Sequence, residues 1–273
     1  MRVNSLFKYF GGKSYLIEDI RNIIFYAYRK YKIQSVVDVF GGSGKILLNI
    51  PPEWRVLRIY NDIDDRLYTV FKVLQDDKKR KKLIEKLKFT FEHQKAFYDF
   101  RDLDKFQDDV DKAFVFLYLI NYSINAIGNS FNWRWSYKIE LSNSYIKKIE
   151  TFSKIIKKWV ILNEDYRKII ERVKNRPYVF LYLDPPYLQG GKKYKRGGWT
   201  IEDFKELKRY LDEFKGLWLM NESSIEEISK IFGKPKMVKE YKNSSKVINY
   251  QMIEKNTTSK TIRREGFWTN FDF

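Results

Sequence analysis

The sequence contains no cysteine and only one histidine, His93. The lack of cysteine excludes disulfide bonds, thiolate metal ligands and cysteine nucleophiles. His93 lies in a polar, predicted helical stretch without a plausible nucleophile nearby, so a serine hydrolase triad is not expected. We therefore predict that His93 is a surface residue, and we predict no metal site.

Long apolar runs are also missing. No run reaches the roughly 20 residues that a transmembrane helix needs. Residues 1–7 are too short and too polar for a signal peptide. These absences lead us to expect a cytoplasmic location and no membrane partner.

Aromatic and basic residues, by contrast, are abundant. The 273 residues are 44% hydrophobic and 18% aromatic, which is typical of a globular chain with one large core or a core plus a smaller lobe. Lys and Arg number 53 against 35 Asp and Glu, a formal net charge of +18. This excess favours a polyanionic partner, although heat adaptation also enriches charged residues.

An unusual tetrapeptide, Asp184-Pro185-Pro186-Tyr187, follows an apolar predicted strand at residues 178–183. Prolines are also an ordinary way to end a strand. The chemistry of the tetrapeptide nevertheless fits a nucleobase. Asp184 and the Pro185 carbonyl can accept hydrogen bonds from an exocyclic amine, and Tyr187 can stack on the base that carries it.

A glycine-rich turn, Phe40-Gly41-Gly42-Ser43-Gly44, follows another short predicted strand at residues 35–38. Such a turn lets the backbone approach a ligand at the start of a helix. The phosphate-loop pattern fails because it needs glycine at Val39 and Ser or Thr at Ile46. The dinucleotide pattern fails because it needs glycine at Leu47. The turn alone indicates only some nucleoside ligand.

Acidic residues end the next predicted strand, at residues 55–60. Asp62 lies about 20 residues past the glycines, where an acidic side chain can hold ribose hydroxyls. Asp64 is better explained as the N-cap of a helix that begins near Asp65. Asp62 is therefore our candidate ribose ligand.

The glycine turn, the acidic strand end and the tetrapeptide, in this order, resemble the DNA N6-adenine methyltransferases, in particular the Dam-type group. The resemblance covers nearly the whole chain. It implies methyl transfer from S-adenosylmethionine to the N6 amine of a flipped-out adenine in double-stranded DNA. It assigns catalysis to Asp184, Pro185, Pro186 and Tyr187.

The resemblance also implies a cofactor site. Residues 8–13 are similar to a family element that borders the S-adenosylmethionine pocket, with Tyr9 in place of the usual Trp. Asp38 would meet the methionine ammonium, and residues 163–166 are similar to an acidic element beside the cofactor's adenine. The implied cofactor-binding residues are Tyr9, Phe10, Gly11, Gly12, Lys13, Asp38, Phe40, Gly41, Gly42, Gly44, Asp62 and Asp165.

Family members place a target-recognition lobe between the cofactor and catalytic elements. In residues 129–138 aromatic and basic side chains alternate, as expected where a protein distorts a duplex; core packing of one face is the alternative. Residues 189–198 form a glycine-rich basic loop, which suits either a phosphate-binding flap or a solubilising loop. The candidate DNA-binding residues are Asn125, Trp133, Arg134, Lys138, Lys192, Lys193, Lys195 and Arg196.

The predicted fold class is α/β: a Rossmann-like S-adenosylmethionine-dependent methyltransferase sheet with an inserted, mainly helical recognition lobe. The cofactor and catalytic domain would comprise residues 1–75 plus 155–273, and the lobe residues 76–154. Thr200 and Asp203 predict a helix capping box. Residues 216–220 predict a core strand, and residues 235–273 a closing antiparallel hairpin.

Other functions stay open. A methyltransferase acting on RNA or protein could share this fold, although glutamine-modifying relatives usually have Asn at position 184 and cytosine N4 enzymes usually have Ser. A catalytically idle DNA-binding protein that keeps the fold is a second alternative. A cognate restriction endonuclease, acting independently, is a candidate partner.

Overall fold

The computed structural model describes residues 3–7, 9, 15–88, 93–102, 105–124, 128–132, 143–188, 198–243 and 261–273. The strands in these ranges form one sheet in the order β3-β2-β1-β4-β5-β7-β6. They are β1 (Ser35–Asp38), β2 (Leu57–Asn61), β3 (Val160–Leu162), β4 (Val179–Leu183), β5 (Leu217–Glu222), β6 (Met237–Asn243) and β7 (Thr261–Thr269).

Helices cover both faces of this sheet. They are α1 (Ile17–Tyr31), α2 (Lys45–Leu48), α3 (Asp65–Gln75), α4 (Asp77–Lys88), α5 (Gln94–Asp99), α6 (Asp109–Tyr122), α7 (Asn143–Ile156), α8 (Tyr166–Val173), α9 (Ile201–Glu213) and α10 (Ile225–Phe232). None of the described helices is long and apolar enough to cross a membrane.

The two central strands, β1 and β4, are buried along their whole length. Continuous burial is typical of parallel strands that are covered by helices on both faces. The pairs β1–β2, β2–β3, β1–β4 and β4–β5 are all parallel. The predicted strands at residues 35–38, 178–183 and 216–220 are thus confirmed as β1, β4 and β5.

The strand order reverses at β1. From β1 the chain builds outward through β2 and β3 on one side, and then returns to add β4 and β5 on the other. The crevice outside the carboxyl ends of β1 and β4 is therefore the topological switch point, where open α/β sheets bind ligands. Asp38 pairs in register with Tyr182, so Asp184 follows just beyond it.

Two antiparallel strands close the sheet. β7 pairs with β5 on one side and β6 on the other, both antiparallel. This arrangement confirms the predicted hairpin. It also brings residues near the end of the chain beside the carboxyl end of β5, since Glu222 pairs in register with Gly266.

The apolar core lies on both faces of the sheet. The larger cluster joins residues from α1, β1 and α3 to residues from α4, α6 and α7, with Phe71, Leu117 and Ile149 all fully buried in it. The second cluster lies under α8, α9 and α10. Of the described helices in residues 76–154, α4, α6 and α7 share the core of the sheet, whereas Phe97 of α5 packs with Val115 and Tyr118 of α6 in a separate cluster. The domain boundary at residue 76 stays a prediction.

Two predicted helix caps are present. Asp64 caps α3 by accepting a hydrogen bond from the Arg66 N–H. Thr200 and Asp203 form the capping box of α9, in which each side chain accepts from the other's backbone N–H. His93 is exposed and caps α5, so its predicted surface position is also confirmed.

Candidate active site

The tetrapeptide leaves the sheet directly after β4, at the switch point. Pro185 is buried, whereas Asp184, Pro186 and Tyr187 are partly exposed. Asp184 lies close enough to Asp38 for its charge to raise the pKa of that carboxyl. The catalytic and cofactor elements inferred from the sequence therefore meet at one edge of the sheet.

The glycine turn between β1 and α2 packs against the end of β2. The Gly41 N–H donates to the Asn61 carbonyl at 2.8 Å, and a Cβ added at Gly41 would lie 2.3 Å from the Tyr60 ring. Gly42 and Gly44 have φ values of 50° and 69°. Residues with a Cβ disfavour this left-handed region, whereas glycine adopts it readily. These contacts and angles explain why glycine occupies all three positions.

Asp62 holds the glycine turn in place. Its Oδ2 accepts from the Gly42 N–H at 2.8 Å, and its Oδ1 accepts from the Asp64 N–H at 2.9 Å. Burial raises the pKa of Asp62 to about 6, while these two N–H groups oppose the rise. The sequence did not predict this bracing role. Each carboxylate oxygen keeps a further lone pair for a ligand hydroxyl.

Tyr9 reaches the same turn from the start of the chain. Its hydroxyl donates to Asp64 Oδ2 at 3.1 Å, and a Cβ added at Gly42 would lie 3.3 Å from Tyr9 Cδ1. The structure thus brings Tyr9 beside the turn, and its role in a cofactor pocket stays a prediction.

Asp38 is the most unusual group of the site. The residue is 1% exposed, and its Oδ1 has no hydrogen-bond partner among the described residues. Burial raises the pKa of Asp38 well above its ordinary value, and the charges of Asp184 and Asp62 raise it further. A buried carboxylate oxygen without a partner is costly and makes Asp38 a candidate for a functional residue. A cationic ligand group would offset that cost.

Asp165 has a structural role of its own. It caps α8 through the Arg167 N–H at 3.0 Å, and it forms an ion pair with the Arg167 guanidinium at 2.9 Å. It follows β3 at the carboxyl edge of the sheet. Its role beside a cofactor stays a prediction.

An aromatic cluster beside the glycine turn was missed by the sequence analysis. The Phe40 ring lies 5.8 Å from that of Tyr166 and 5.4 Å from that of Trp199, measured between centroids. No local pattern links these three positions, because they come from distant parts of the chain.

Polar residues at the end of β5 and in β7 were also missed. Tyr182 donates to Asn221 Oδ1 at 2.7 Å, and Tyr187 donates to Glu265 Oε1 at 3.0 Å. Asn221 and Glu222 end an apolar strand just as the tetrapeptide follows β4. Polar residues that directly follow an apolar strand therefore occur in both places, and this pattern could have identified Asn221 and Glu222 from the sequence.

Several predicted residues lie outside the described ranges. They are Phe10, Gly11, Gly12, Lys13, Asn125, Trp133, Arg134, Lys138, Lys192, Lys193, Lys195 and Arg196. Among the described residues, no cluster of three or more His, Cys, Asp or Glu side chains could hold a metal ion.

Comparison with known protein families identifies the chain. The profile of the D12 class N6 adenine-specific DNA methyltransferases matches residues 9–259. The chain belongs to this family. The methyltransferase thus acts on the N6 amine of adenine, with DNA as its substrate and S-adenosylmethionine as its cofactor, and these predictions are confirmed.

Relatives of known activity agree with this membership. The methyltransferase is 25% identical over 230 residues to the type II methyltransferase M.MjaIII of Methanocaldococcus jannaschii, a match that covers 76% of each chain. It is 26% identical over 198 residues to the DNA adenine methylase of Escherichia coli K12, covering 68% of this chain and 66% of that relative.

Among solved structures, the methyltransferase is similar to the SAM-dependent methyltransferase from Agrobacterium tumefaciens. The two are 13% identical with a TM-score of 0.39, and the match covers 92% of this chain and 60% of that one.

The described residues fit the cofactor. Its sulfonium and ammonium groups are cationic, and the unpartnered carboxylate oxygen of Asp38 lies with Asp62 and Asp184 at the same edge of the sheet. The glycine turn offers close approach to backbone, and Asp62 offers acceptors for hydroxyl groups.

Proposed function

We propose that the methyltransferase holds a flipped-out adenine of double-stranded DNA in the tetrapeptide. The observation that carries this proposal is the position of Asp184, directly after β4 at the switch point and within electrostatic reach of Asp38. An amine inside a stacked duplex cannot reach a site at the edge of a sheet, so the base must leave the helix.

Asp184 and the Pro185 carbonyl would accept hydrogen bonds from the N6 amine. The lone pair of that nitrogen is delocalised into the ring, and two acceptors favour a pyramidal, more nucleophilic nitrogen. They also stabilise the positive charge that develops on it. Pro185 and Pro186 fix both acceptors before substrate arrives, because proline restricts backbone rotation.

Tyr187 would stack on the extruded adenine. Base–aromatic stacking contributes about 1–3 kcal/mol per base. When bound, the cofactor would supply an electrophilic methyl group for transfer to N6. The protein's main contribution would be to hold the N6 amine in a reactive position against that methyl group. The methylated amine would lose one proton, which would pass through its acceptor Asp184 to solvent.

The cofactor would lie across the carboxyl ends of β1 and β2. Asp38 would meet the ammonium group, Asp62 the ribose hydroxyls, and Asp165 the side of the adenine ring. The glycine turn with Phe40, Gly41, Gly42 and Gly44 would approach from β1, with Tyr9 beside it. Phe10, Gly11, Gly12 and Lys13 would complete the pocket.

The role of Asp62 predicts a pH dependence of cofactor binding. Its carboxyl has a pKa of about 6 and is protonated below that pH, and a neutral acid accepts hydrogen bonds more weakly than a carboxylate. We expect the affinity for S-adenosylmethionine to fall about fivefold from pH 7.5 to pH 5. Calorimetric titration across this range measures it.

The matched variants for this prediction are Asp62→Asn and Asp212→Asn. Asp212 is exposed and forms an ion pair with Lys208 on α9, so its variant should keep the wild-type profile. In Asp62→Asn, the affinity for S-adenosylmethionine should no longer change around pH 6. An unchanged profile in Asp62→Asn would rule out Asp62 as the titrating group.

Residues 76–154 would form the target-recognition lobe. The chain's net charge of +18 supports contacts to many phosphates through counterion release. Asn125, Trp133, Arg134 and Lys138 would contact bases or backbone there. Lys192, Lys193, Lys195 and Arg196 would contact DNA from the loop that follows the tetrapeptide.

A cognate restriction endonuclease stays a prediction, supported by the type II methyltransferase named among the relatives. A cytoplasmic location also stays a prediction, supported by the DNA substrate of the family. Neither bears on the chemistry of the site.

One experiment tests the proposed function directly. Purified protein is incubated with labelled S-adenosylmethionine and, in separate reactions, unmethylated double-stranded DNA, single-stranded DNA, RNA and a protein mixture. The DNA is then digested to nucleosides. We expect label in N6-methyladenine from double-stranded DNA. Label in RNA or protein alone would contradict the proposal, and cofactor binding without transfer would favour an idle binding protein.

A further inference from the structure

A buried carboxylate of the closing hairpin contacts the tyrosine of the tetrapeptide. Glu265 lies on β7 and is 2% exposed. Its Oε1 accepts hydrogen bonds from the Tyr187 hydroxyl at 3.0 Å and from the Tyr15 hydroxyl at 2.9 Å. One carboxylate oxygen therefore joins the catalytic segment to a residue near the start of the chain.

This contact fixes the free end of the Tyr187 ring. The ring's other end is attached to backbone that follows Pro185 and Pro186, which is itself restricted. A hydrogen bond at the hydroxyl limits the χ1 torsion, because a change in χ1 would carry the oxygen away from Glu265. The χ2 torsion turns the ring about the axis that carries the oxygen, and it is limited through the phenol O–H, which prefers the ring plane and so favours the plane that contains the acceptor. The ring is thereby held in one orientation before a base arrives, as pre-organised sites require.

Further contacts keep Glu265 from moving. Tyr241 on β6 donates to the Tyr15 hydroxyl at 2.8 Å, and the two rings stack with centroids 3.9 Å apart. The chain of contacts thus runs from β6 through Tyr15 to Glu265 and Tyr187. The strand pairing of β5 with β7 places Glu265 beside the carboxyl end of β5.

The fold alone does not require a carboxylate at this position. Glu265 Oε2 is buried and has no hydrogen-bond partner among the described residues, which is unfavourable for a charged group. An apolar side chain of similar size would avoid this cost. What the carboxylate adds is an acceptor for two phenol hydroxyls.

We propose that Glu265 is a positioning residue, which orients the Tyr187 ring for stacking on the target adenine. This inference rests on the proposed function of the tetrapeptide. Glu265 acts on the reaction only through Tyr187, so it should affect turnover and the stacking of the base, and it should leave cofactor binding unchanged.

The test is a double-mutant cycle on kcat for DNA methylation. Glu265→Leu and Tyr187→Phe should each lower kcat about tenfold, since displaced reacting groups cost up to about 100-fold. The double variant should be no slower than either single variant, because both remove one interaction. Glu265→Gln keeps an oxygen acceptor and should retain most of the activity. The KM for S-adenosylmethionine should not change.

A spectroscopic measurement distinguishes a changed orientation of the Tyr187 ring from a general loss of protein structure. DNA that carries 2-aminopurine at the methylated adenine reports stacking by fluorescence quenching. We expect the bound probe to be brighter with Glu265→Leu and Tyr187→Phe than with wild type or Glu265→Gln. Tyr15→Phe removes a contact that helps to hold Glu265 but leaves the Tyr187–Glu265 hydrogen bond, so it should brighten the probe less than Glu265→Leu does.

The outcomes are distinct. Additive effects in the cycle, or wild-type kcat and quenching in Tyr187→Phe, overturn the role of Glu265 while leaving the proposed function intact. No N6-methyladenine from the wild-type protein overturns both. If Glu265→Leu does not fold, the contrast between Tyr187→Phe and Glu265→Gln decides, and a Glu265→Gln variant as slow as Tyr187→Phe counts against the proposal.

Discussion

Asp184→Ala should lower kcat for adenine methylation by about 100- to 1,000-fold, the effect of removing one group that stabilises developing charge. Asp184 follows β4 at the switch point and would accept a hydrogen bond from the reacting amine. The remaining acceptor, the Pro185 carbonyl, is a backbone group and stays in place. Cofactor affinity should change by less than about threefold, because Asp184 is proposed to bind the substrate base.

Single-turnover methylation with saturating DNA measures this effect, and calorimetry measures cofactor affinity separately. Asp212→Ala is the matched control: it removes a carboxylate from an exposed ion pair on α9 and should keep wild-type values. Normal turnover by Asp184→Ala would refute the assigned mechanism. Loss of cofactor binding as well as turnover would place Asp184 in the cofactor site.

Asp38→Asn should weaken S-adenosylmethionine binding about 100-fold, equivalent to about 2.7 kcal/mol. The carboxylate would meet the cofactor's ammonium group in a buried place, where an ionic hydrogen bond is strong. Asn keeps the size of the side chain but cannot supply the charge.

The same substitution should not harm the protein without cofactor. Burial and the charges of Asp184 and Asp62 raise the pKa of Asp38 well above its ordinary value, so the folded state disfavours the ionised carboxyl. Removing that group should leave the free energy of unfolding equal or higher. Differential scanning calorimetry with and without cofactor tests both parts. Wild-type affinity in Asp38→Asn, or marked destabilisation of the cofactor-free protein, would contradict this account.

Local sequence patterns predicted most of the sheet. β4 is a continuous run of apolar and aromatic residues, which is the pattern of a strand buried on both faces, and β1 has the pair Val36-Val37 between Ser35 and Asp38. Thr200 and Asp203 lie three residues apart, so their reciprocal hydrogen bonds could be read from the sequence. In each case the interacting residues are neighbours in the chain or share one periodic pattern.

Contacts between distant segments could not be predicted. Tyr9 and Asp64 are 55 residues apart, and Tyr15 and Glu265 are 250 residues apart. Such pairs depend on how strands are ordered in the sheet, and no spacing rule encodes that order. The bracing of Gly42 by Asp62 was missed for a different reason. An acidic side chain at a strand end can accept hydrogen bonds from ribose hydroxyls or from backbone N–H groups, and the sequence does not distinguish the two roles.

The strand order also determines when the site can form during synthesis. β7 lies between β5 and β6, and among the described strands β6 pairs only with β7. A nascent chain that has emerged only as far as β6 therefore lacks Glu265 and leaves β6 without a partner. The tetrapeptide is already outside the ribosome at that stage, but its tyrosine is not yet anchored. We expect nascent chains to methylate DNA at least about tenfold more slowly until residues 261–269 have emerged, whatever the folding rate of the parallel strands.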